Sequence, residues 1–128
     1  MGNIVGCSIV IYDDFNNVLI AERGKGKNTP KVWGIFGKDI KGKETEEKCV
    51  LKAIDKDLKC TVFDLKELNT YSNIGSNDGE LIKGYSGTVK EYLTCHKSIN
   101  SVKWIGKKEI DNYNFSDLDR AMLEDFWK

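Results

Sequence analysis

Hydrophobic residues along the chain fall into short β-type runs separated by turn residues, interrupted by two stretches of helical spacing. Residues 4–12 and 18–22 are apolar and rich in β-branched side chains. The aspartates and asparagines between them favour a turn, so we predict a β-hairpin. Glycine and asparagine separate the later apolar runs, which predict further strands at residues 61–72, 80–86, 88–95 and 101–105.

Two segments show the spacing of amphipathic helices. Thr45 can cap a helix that carries Glu46 and Glu47 in its first turn, ends near Lys59, and has an apolar face formed by Val50, Leu51, Ile54 and Leu58. Ser116 can cap a last helix whose packing face contains Leu118, Met122 and Phe126. The order of elements predicts an α+β fold, an α/β/α sandwich in which helices flank a mixed β-sheet, with residues 1–128 forming a single domain.

Composition narrows the range of functions. Twenty cationic and twenty acidic residues in a chain of 128 give a formal net charge of zero, which argues against binding nucleic acid or membranes through overall charge. No apolar run is long enough for a membrane span, and no signal-peptide pattern opens the chain, so we expect a cytoplasmic protein. The four cysteines lack close pairing in the sequence, which predicts neither a disulfide nor a structural zinc site.

Residues 33–60 carry the most informative pattern. They resemble the loop–helix–loop box of the Nudix hydrolase family, G-x5-E-x7-R-E-U-x-E-E-x-G-U with U aliphatic. Trp33 and Gly37 match the segment that often precedes the box, and Glu44 and Ile54 match positions within it. The opening apolar runs through Arg23 and the closing residues 101–126 are also similar to this family, so the resemblance covers nearly the whole chain.

The same alignment exposes departures from the box. Lys38 stands at the first glycine and Lys52 at the arginine, while Ala53, Lys56 and Asp57 stand at three glutamates. Outside the acidic positions, the usual lead-in proline, the last glycine and the final aliphatic residue are replaced by Phe36, Lys59 and Cys60. The box is therefore degenerate.

The resemblance implies a metal-dependent hydrolase of a nucleoside diphosphate linked to another group. Mg²⁺ or Mn²⁺ would be held by acids at helix positions i, i+3 and i+4, which share one face. In this register that face is formed by Ala53, Lys56 and Asp57, so one carboxylate remains where three are expected. The ammonium group of Lys56 would also repel a metal ion.

Three functions remain open at this point. Weak hydrolysis could persist, with Asp57, Glu44 and Glu47 holding one metal ion and a later acid acting as base, for which the candidates are Asp78, Glu80 and Glu91. Alternatively, the chain binds a phosphorylated ligand without cleaving it and needs no metal, because Lys56 supplies the positive charge. The third function is a protein-binding module, such as a homodimer, that uses the aromatic residues between 113 and 127.

A basic stretch supports an anionic ligand. Residues 23–43 hold seven cationic side chains and one carboxylate, which would attract a phosphorylated molecule or simply form a solvated loop. The resemblance places this stretch beside the diphosphate and suggests Arg23, Lys38 and Lys52 as substrate-binding residues. Glu44, Lys56 and Asp57 are the corresponding catalytic candidates.

The only histidine, His96, is expected at a strand end.

Overall fold

The computed structural model describes residues 3–24, 32–72 and 80–128. In chain order the elements are β1 (Asn3–Ile11), β2 (Val18–Arg23), β3 (Val32–Gly34), β4 (Phe36–Asp39), α1 (Glu46–Leu58), β5 (Phe63–Ser72), β6 (Glu80–Thr88), β7 (Ile99–Ile105), a 3-10 helix (Lys107–Asn112) and α2 (Asp117–Phe126). These elements form two sheets and two main helices.

The larger sheet is mixed, as predicted. Its strand order is β4-β1-β6-β5, with β1 and β6 parallel and the other neighbours antiparallel. The smaller sheet, β3-β2-β7, is antiparallel. The predicted hairpin is wrong in its pairing, because β1 and β2 enter different sheets and share a single bridge between Tyr12 and Val18.

The helices cover opposite sides of the sheets. Alternate residues of β1 point to opposite faces, so Ile9 and Ile11 join the core under α1 whereas Val10 joins the core under α2. α1 contributes to its core the buried residues Cys49, Val50, Ile54 and Leu58, and α2 contributes Met122 and Leu123. The assignment of Leu51 to the apolar face of α1 is wrong, because this side chain is 41% exposed. This layering is the predicted α/β/α sandwich.

Both predicted helix caps are confirmed. The Thr45 hydroxyl accepts a hydrogen bond from the Lys48 backbone N–H at 3.2 Å, and the Ser116 hydroxyl accepts one from Asp119 N–H at 3.2 Å. Each bond satisfies an N–H group that the first turn of a helix leaves unpaired. Lys59 closes α1 in the left-handed conformation, with φ of 57°.

The predicted strand at residues 88–95 is wrong. β6 ends at Thr88, and the chain beyond it runs irregularly to β7. The backbone N–H groups of Thr94 and His96 donate instead to the carbonyls of Leu58 and Asp57, at 2.9 Å and 2.8 Å. They satisfy two carbonyls at the end of α1, so this segment is fixed to the helix rather than to a sheet.

Gly37 allows β4 to lie close to β1. It stands opposite Ser8, and a Cβ atom at this position would be 2.7 Å from the Ser8 hydroxyl and 3.0 Å from the Ser8 Cα. A larger residue would therefore push the two backbones apart.

Within the residues that the structure describes, no helix has the length and apolar character needed to cross a membrane.

Candidate functional site

A cavity of about 410 Å³ opens between the end of β2, strand β4, helix α1 and the segment before β7. Four cationic side chains and two carboxylates give its lining a formal charge of +2. The lining residues are Arg23, Ile35, Gly37, Lys38, Asp39, Lys41, Ala53, Lys56, Asp57 and Ser98. Its volume is within the range of ligand-binding clefts, and its charge favours an anion.

Helix α1 presents to this cavity the face that the box alignment predicted. Ala53, Lys56 and Asp57 lie at positions i, i+3 and i+4, and all three line the cavity. The apolar side of the helix is buried against β1, which fixes the rotation of the helix. The substitution of two expected acids by Ala53 and Lys56 is thus located at the cavity wall.

Asp57 is paired with an arginine. Its Oδ2 accepts a hydrogen bond from Arg23 Nη2 at 2.7 Å, and its side chain is only 8% exposed. Arg23 Nη1 lies 3.4 Å from the Ser98 hydroxyl, and the guanidinium lies 5.8 Å from the centre of the Phe36 ring. The only carboxylate on this face of α1 is therefore already neutralised by a fixed cation.

Glu44 is enclosed by donors. Its Oε1 accepts from Lys38 Nζ at 3.0 Å and from the Lys41 backbone N–H at 3.1 Å, while Oε2 accepts from Lys52 Nζ at 2.7 Å. These contacts, with that of Lys52 the strongest, lower the pKa of Glu44 from 4.5 to about 2. Of the two lysines suggested as substrate-binding residues, Lys38 lines the cavity, whereas Lys52 is outside its lining and holds Glu44.

The lowered pKa of Glu44 predicts a dependence of stability on pH. Because the pKa is lower in the folded chain, this carboxylate stabilises the fold above about pH 4.5, and its contribution disappears as the pH falls towards 2. In Glu44→Gln, the free energy of unfolding should therefore fall less steeply over that window than in the wild type. Urea titrations between pH 2 and 7 measure this slope. A slope in Glu44→Gln equal to that of the wild type would contradict this prediction.

Asp119 shows the opposite shift. Burial raises the pKa of its carboxyl group, although the Ile35 N–H donates to Oδ2 at 3.3 Å. Ionisation of this group therefore opposes folding as the pH rises above 3.8. We expect Asp119→Asn to unfold a few degrees higher than the wild type at pH 7 and to lose this advantage below pH 3.8. Calorimetry at both pH values tests this, with the exposed replacement Asp117→Asn as control.

The donor set does not fit a divalent metal ion. Mg²⁺ and Mn²⁺ prefer several carboxylate or carbonyl oxygens arranged around one point. Here Asp57 is bound to Arg23, Glu44 is bound to two lysines, and Ala53 and Lys56 offer no oxygen ligand. Among the described residues, no three His, Cys, Asp or Glu side chains group closely enough to hold a metal.

The other acidic candidates do not reach this cavity as far as the structure describes them. Glu47 is exposed in the first turn of α1, and Glu80 begins β6. Glu91 accepts a hydrogen bond from Thr61 N–H at 2.7 Å and lines a separate, larger cavity of about 480 Å³ beside Trp104. That cavity has only one cationic lining residue, so we do not assign it to an anionic ligand. Asp78 and the loop lysines Lys25, Lys27 and Lys31 lie outside the described residues.

Three polar or charged lining residues were not singled out from the sequence as site residues. Asp39 and Lys41 were counted only within the basic stretch, and Ser98 carried no motif. Ser98 enters the site because the segment before β7 is attached to the end of α1, and nothing in the local sequence indicates that attachment.

Comparison with known proteins identifies the fold. No protein-family model and no curated protein matches the sequence. Solved structures do match: a NUDIX hydrolase from Nitrosomonas europaea has a TM-score of 0.79 at 15% identity, covering 99% of this chain and 89% of its own. The MutT NUDIX hydrolase from Burkholderia pseudomallei has a TM-score of 0.77 at 18% identity, covering 95% and 96%. The NUDIX domain of Shewanella oneidensis NrtR, crystallised with ADP ribose, has a TM-score of 0.72 at 19% identity, covering 98% and 86%.

Proposed function

Because the chain has the Nudix fold, we propose that it binds the diphosphate part of a nucleoside diphosphate derivative in the basic cavity and hydrolyses it weakly or not at all. One observation carries this proposal: both acids that would hold the metal ion, Asp57 and Glu44, hold cationic side chains instead. The cavity is left with a positive formal charge and no cluster of acids.

The cationic residues supply the contacts that a diphosphate requires. A guanidinium has five N–H donors, so Arg23 can keep its bond to Asp57 and still donate to phosphate oxygens. Lys41 and Lys56 are exposed at the cavity and add mobile positive charges. The ADP ribose bound to the Shewanella oneidensis domain supports this class of ligand, because a diphosphate joins its two halves.

Hydrolysis would require a base that activates water. A catalytic base works best when its pKa lies near the working pH. The pKa of Glu44 is lowered to about 2, so this carboxylate is a weak base, and Asp57 is occupied by Arg23. The cationic residues of the cavity can therefore bind and orient a diphosphate, but Glu44 and Asp57 provide little means of attacking it. We also propose that residues 1–128 form the single domain that carries this function.

Calorimetric titration in EDTA tests the proposal, with ADP ribose, ADP and inorganic pyrophosphate as probes. We expect saturable binding of at least one probe and no turnover above buffer after Mg²⁺ or Mn²⁺ is added. Lys41→Ala should weaken binding severalfold, whereas Lys48→Ala, which removes an exposed lysine of α1 outside the cavity, should not. Failure of all three probes to bind would refute the proposal, and metal-dependent turnover would favour the hydrolase instead.

A further inference from the structure

Arg23 and Asp57 form a partly buried ion pair at the wall of the cavity. The Asp57 side chain is almost fully buried, and a buried carboxylate requires a positively charged or strongly donating partner. Arg23 provides that partner at 2.7 Å and lines the cavity together with Asp57. The cation therefore stands at the acid that the box alignment assigns to metal binding.

Neighbouring groups hold the guanidinium in this position. The His96 backbone N–H donates to the carbonyl of Asp57 at 2.8 Å, which fixes the segment before β7 to the same residue of α1. The Ser98 backbone N–H donates to His96 Nδ1 at 3.1 Å, and the Ser98 hydroxyl lies 2.9 Å from that nitrogen. Ser98 is thereby held beside Arg23 Nη1, so Asp57, Arg23, Ser98 and His96 form a closed ring of contacts.

We propose that Arg23 supplies the positive charge that a metal ion would otherwise provide in this cavity, and that it excludes a divalent metal from Asp57. Asp57 is then a positioning residue: it orients the guanidinium towards the phosphates of the ligand instead of coordinating an ion. Lys56, which the sequence suggests for this role, is exposed and makes no ion pair with a described residue. For its ligand the inference rests on the proposed function, whereas the competition with metal does not.

The energetics favour the tethered cation. A divalent ion would have to displace a short, charge-assisted hydrogen bond and lose part of its hydration shell in return for one carboxylate. It would also meet the positive charges of Lys38, Lys41 and Lys56. Arg23 is part of the chain and loses no translational freedom on contact. Binding of a diphosphate should consequently be independent of divalent metal.

The first test measures Mn²⁺ binding, by loss of the electron paramagnetic resonance signal of the free ion, with no phosphorylated ligand present. The variants are built on Lys56→Glu, an exposed position that leaves the core unchanged and adds a second carboxylate beside Asp57. Adding Arg23→Ala should tighten Mn²⁺ binding at least tenfold more than adding Lys41→Ala. The Lys41 control removes the same charge from the same cavity without releasing Asp57.

A further change identifies the carboxylate involved. Adding Asp57→Asn to the Lys56→Glu, Arg23→Ala variant should abolish the gain in Mn²⁺ affinity. Equal gains from Arg23→Ala and Lys41→Ala, or a gain that survives Asp57→Asn, would overturn the proposal. Circular dichroism verifies that each variant is folded. Arg23→Gln, which keeps most of the side-chain length without its charge, replaces Arg23→Ala if the alanine variant unfolds.

The second test compares the binding of inorganic pyrophosphate in EDTA and in Mg²⁺, after correction for the soluble magnesium complex. For the wild type we expect Kd values that agree within about threefold, and Arg23→Ala should weaken binding in EDTA more than tenfold. An improvement of tenfold or more on adding Mg²⁺ would contradict the inference. If pyrophosphate binds under neither condition, ADP ribose replaces it in this comparison, and failure of every probe would refute the proposed ligand class. The Mn²⁺ experiment still decides whether Arg23 blocks the metal.

Discussion

The double variant Ala53→Glu, Lys56→Glu is expected to bind Mn²⁺ at least one hundred times more tightly than the wild type. It adds two carboxylates beside Asp57 on one face of α1, at the wall of the cavity, so an ion can be held there without the carboxylate that Arg23 occupies. Two unit charges about 4 Å apart interact by roughly 4 kcal/mol at an effective dielectric of about 20. A hundredfold gain corresponds to about 3 kcal/mol, so reversing the charge of Lys56 alone could supply most of it.

Paramagnetic resonance or calorimetry measures this gain, and two further variants make the result specific. Lys48→Glu produces the same change in net charge as Lys56→Glu alone, on an exposed part of α1 outside the cavity, and should leave Mn²⁺ affinity near that of the wild type. Because Ala53 is only 2% exposed, Lys56→Glu alone provides a version with less risk to folding. If the double variant folds and binds Mn²⁺ no better than Lys48→Glu, this face of α1 does not correspond to the metal-binding face that the box alignment predicts.

The regular parts of this site could be predicted from the sequence because they depend on local rules. The helix caps, the apolar face of α1 apart from Leu51, and the common face of Ala53, Lys56 and Asp57 follow from spacing along one helix. The resemblance to the Nudix box supplied the alignment that places these three residues at the metal-binding glutamates of that family. The fold itself is confirmed by the solved structures.

The ion pairs of Asp57 and Glu44 could not be predicted from such local rules. Arg23 and Asp57 are 34 residues apart, and Lys38 and Lys52 approach Glu44 from a strand and a helix. Sequence spacing does not reveal which cation meets which acid, so the pairing of Arg23 with Asp57 could not be predicted from it.

The wrong strand at residues 88–95 has a related cause. Its apolar residues resemble those of a strand, but its backbone donors satisfy the end of α1, which only the assembled fold brings near. The same attachment brings Ser98 to the cavity.

Phe36→Ala is expected to cause the largest loss of stability, about 3–5 kcal/mol, because the ring is fully buried and its removal leaves a cavity. Phe36 lies in β4 opposite Ile9 and packs in the core beneath α1. The replacement therefore removes packing contacts between the sheet and the helix that carries Asp57. For a chain of this size the thermal midpoint should fall by roughly 10–20 °C. Phe15→Ala, at an 84% exposed position, should shift it little.

The same residue connects the core to the cavity, which gives the variant a second expected effect. Arg23 lies 5.8 Å from the centre of the Phe36 ring, and loss of that cation–π contact should free the guanidinium to move. At a temperature where Phe36→Ala remains folded, pyrophosphate should bind two- to fivefold more weakly than to the wild type. Phe36→Leu, which keeps an apolar side chain, should recover most of the stability without restoring the ring contact. Full recovery of affinity in the leucine variant would show that the ring acts only by filling the core and that Asp57 and Ser98 suffice to place Arg23.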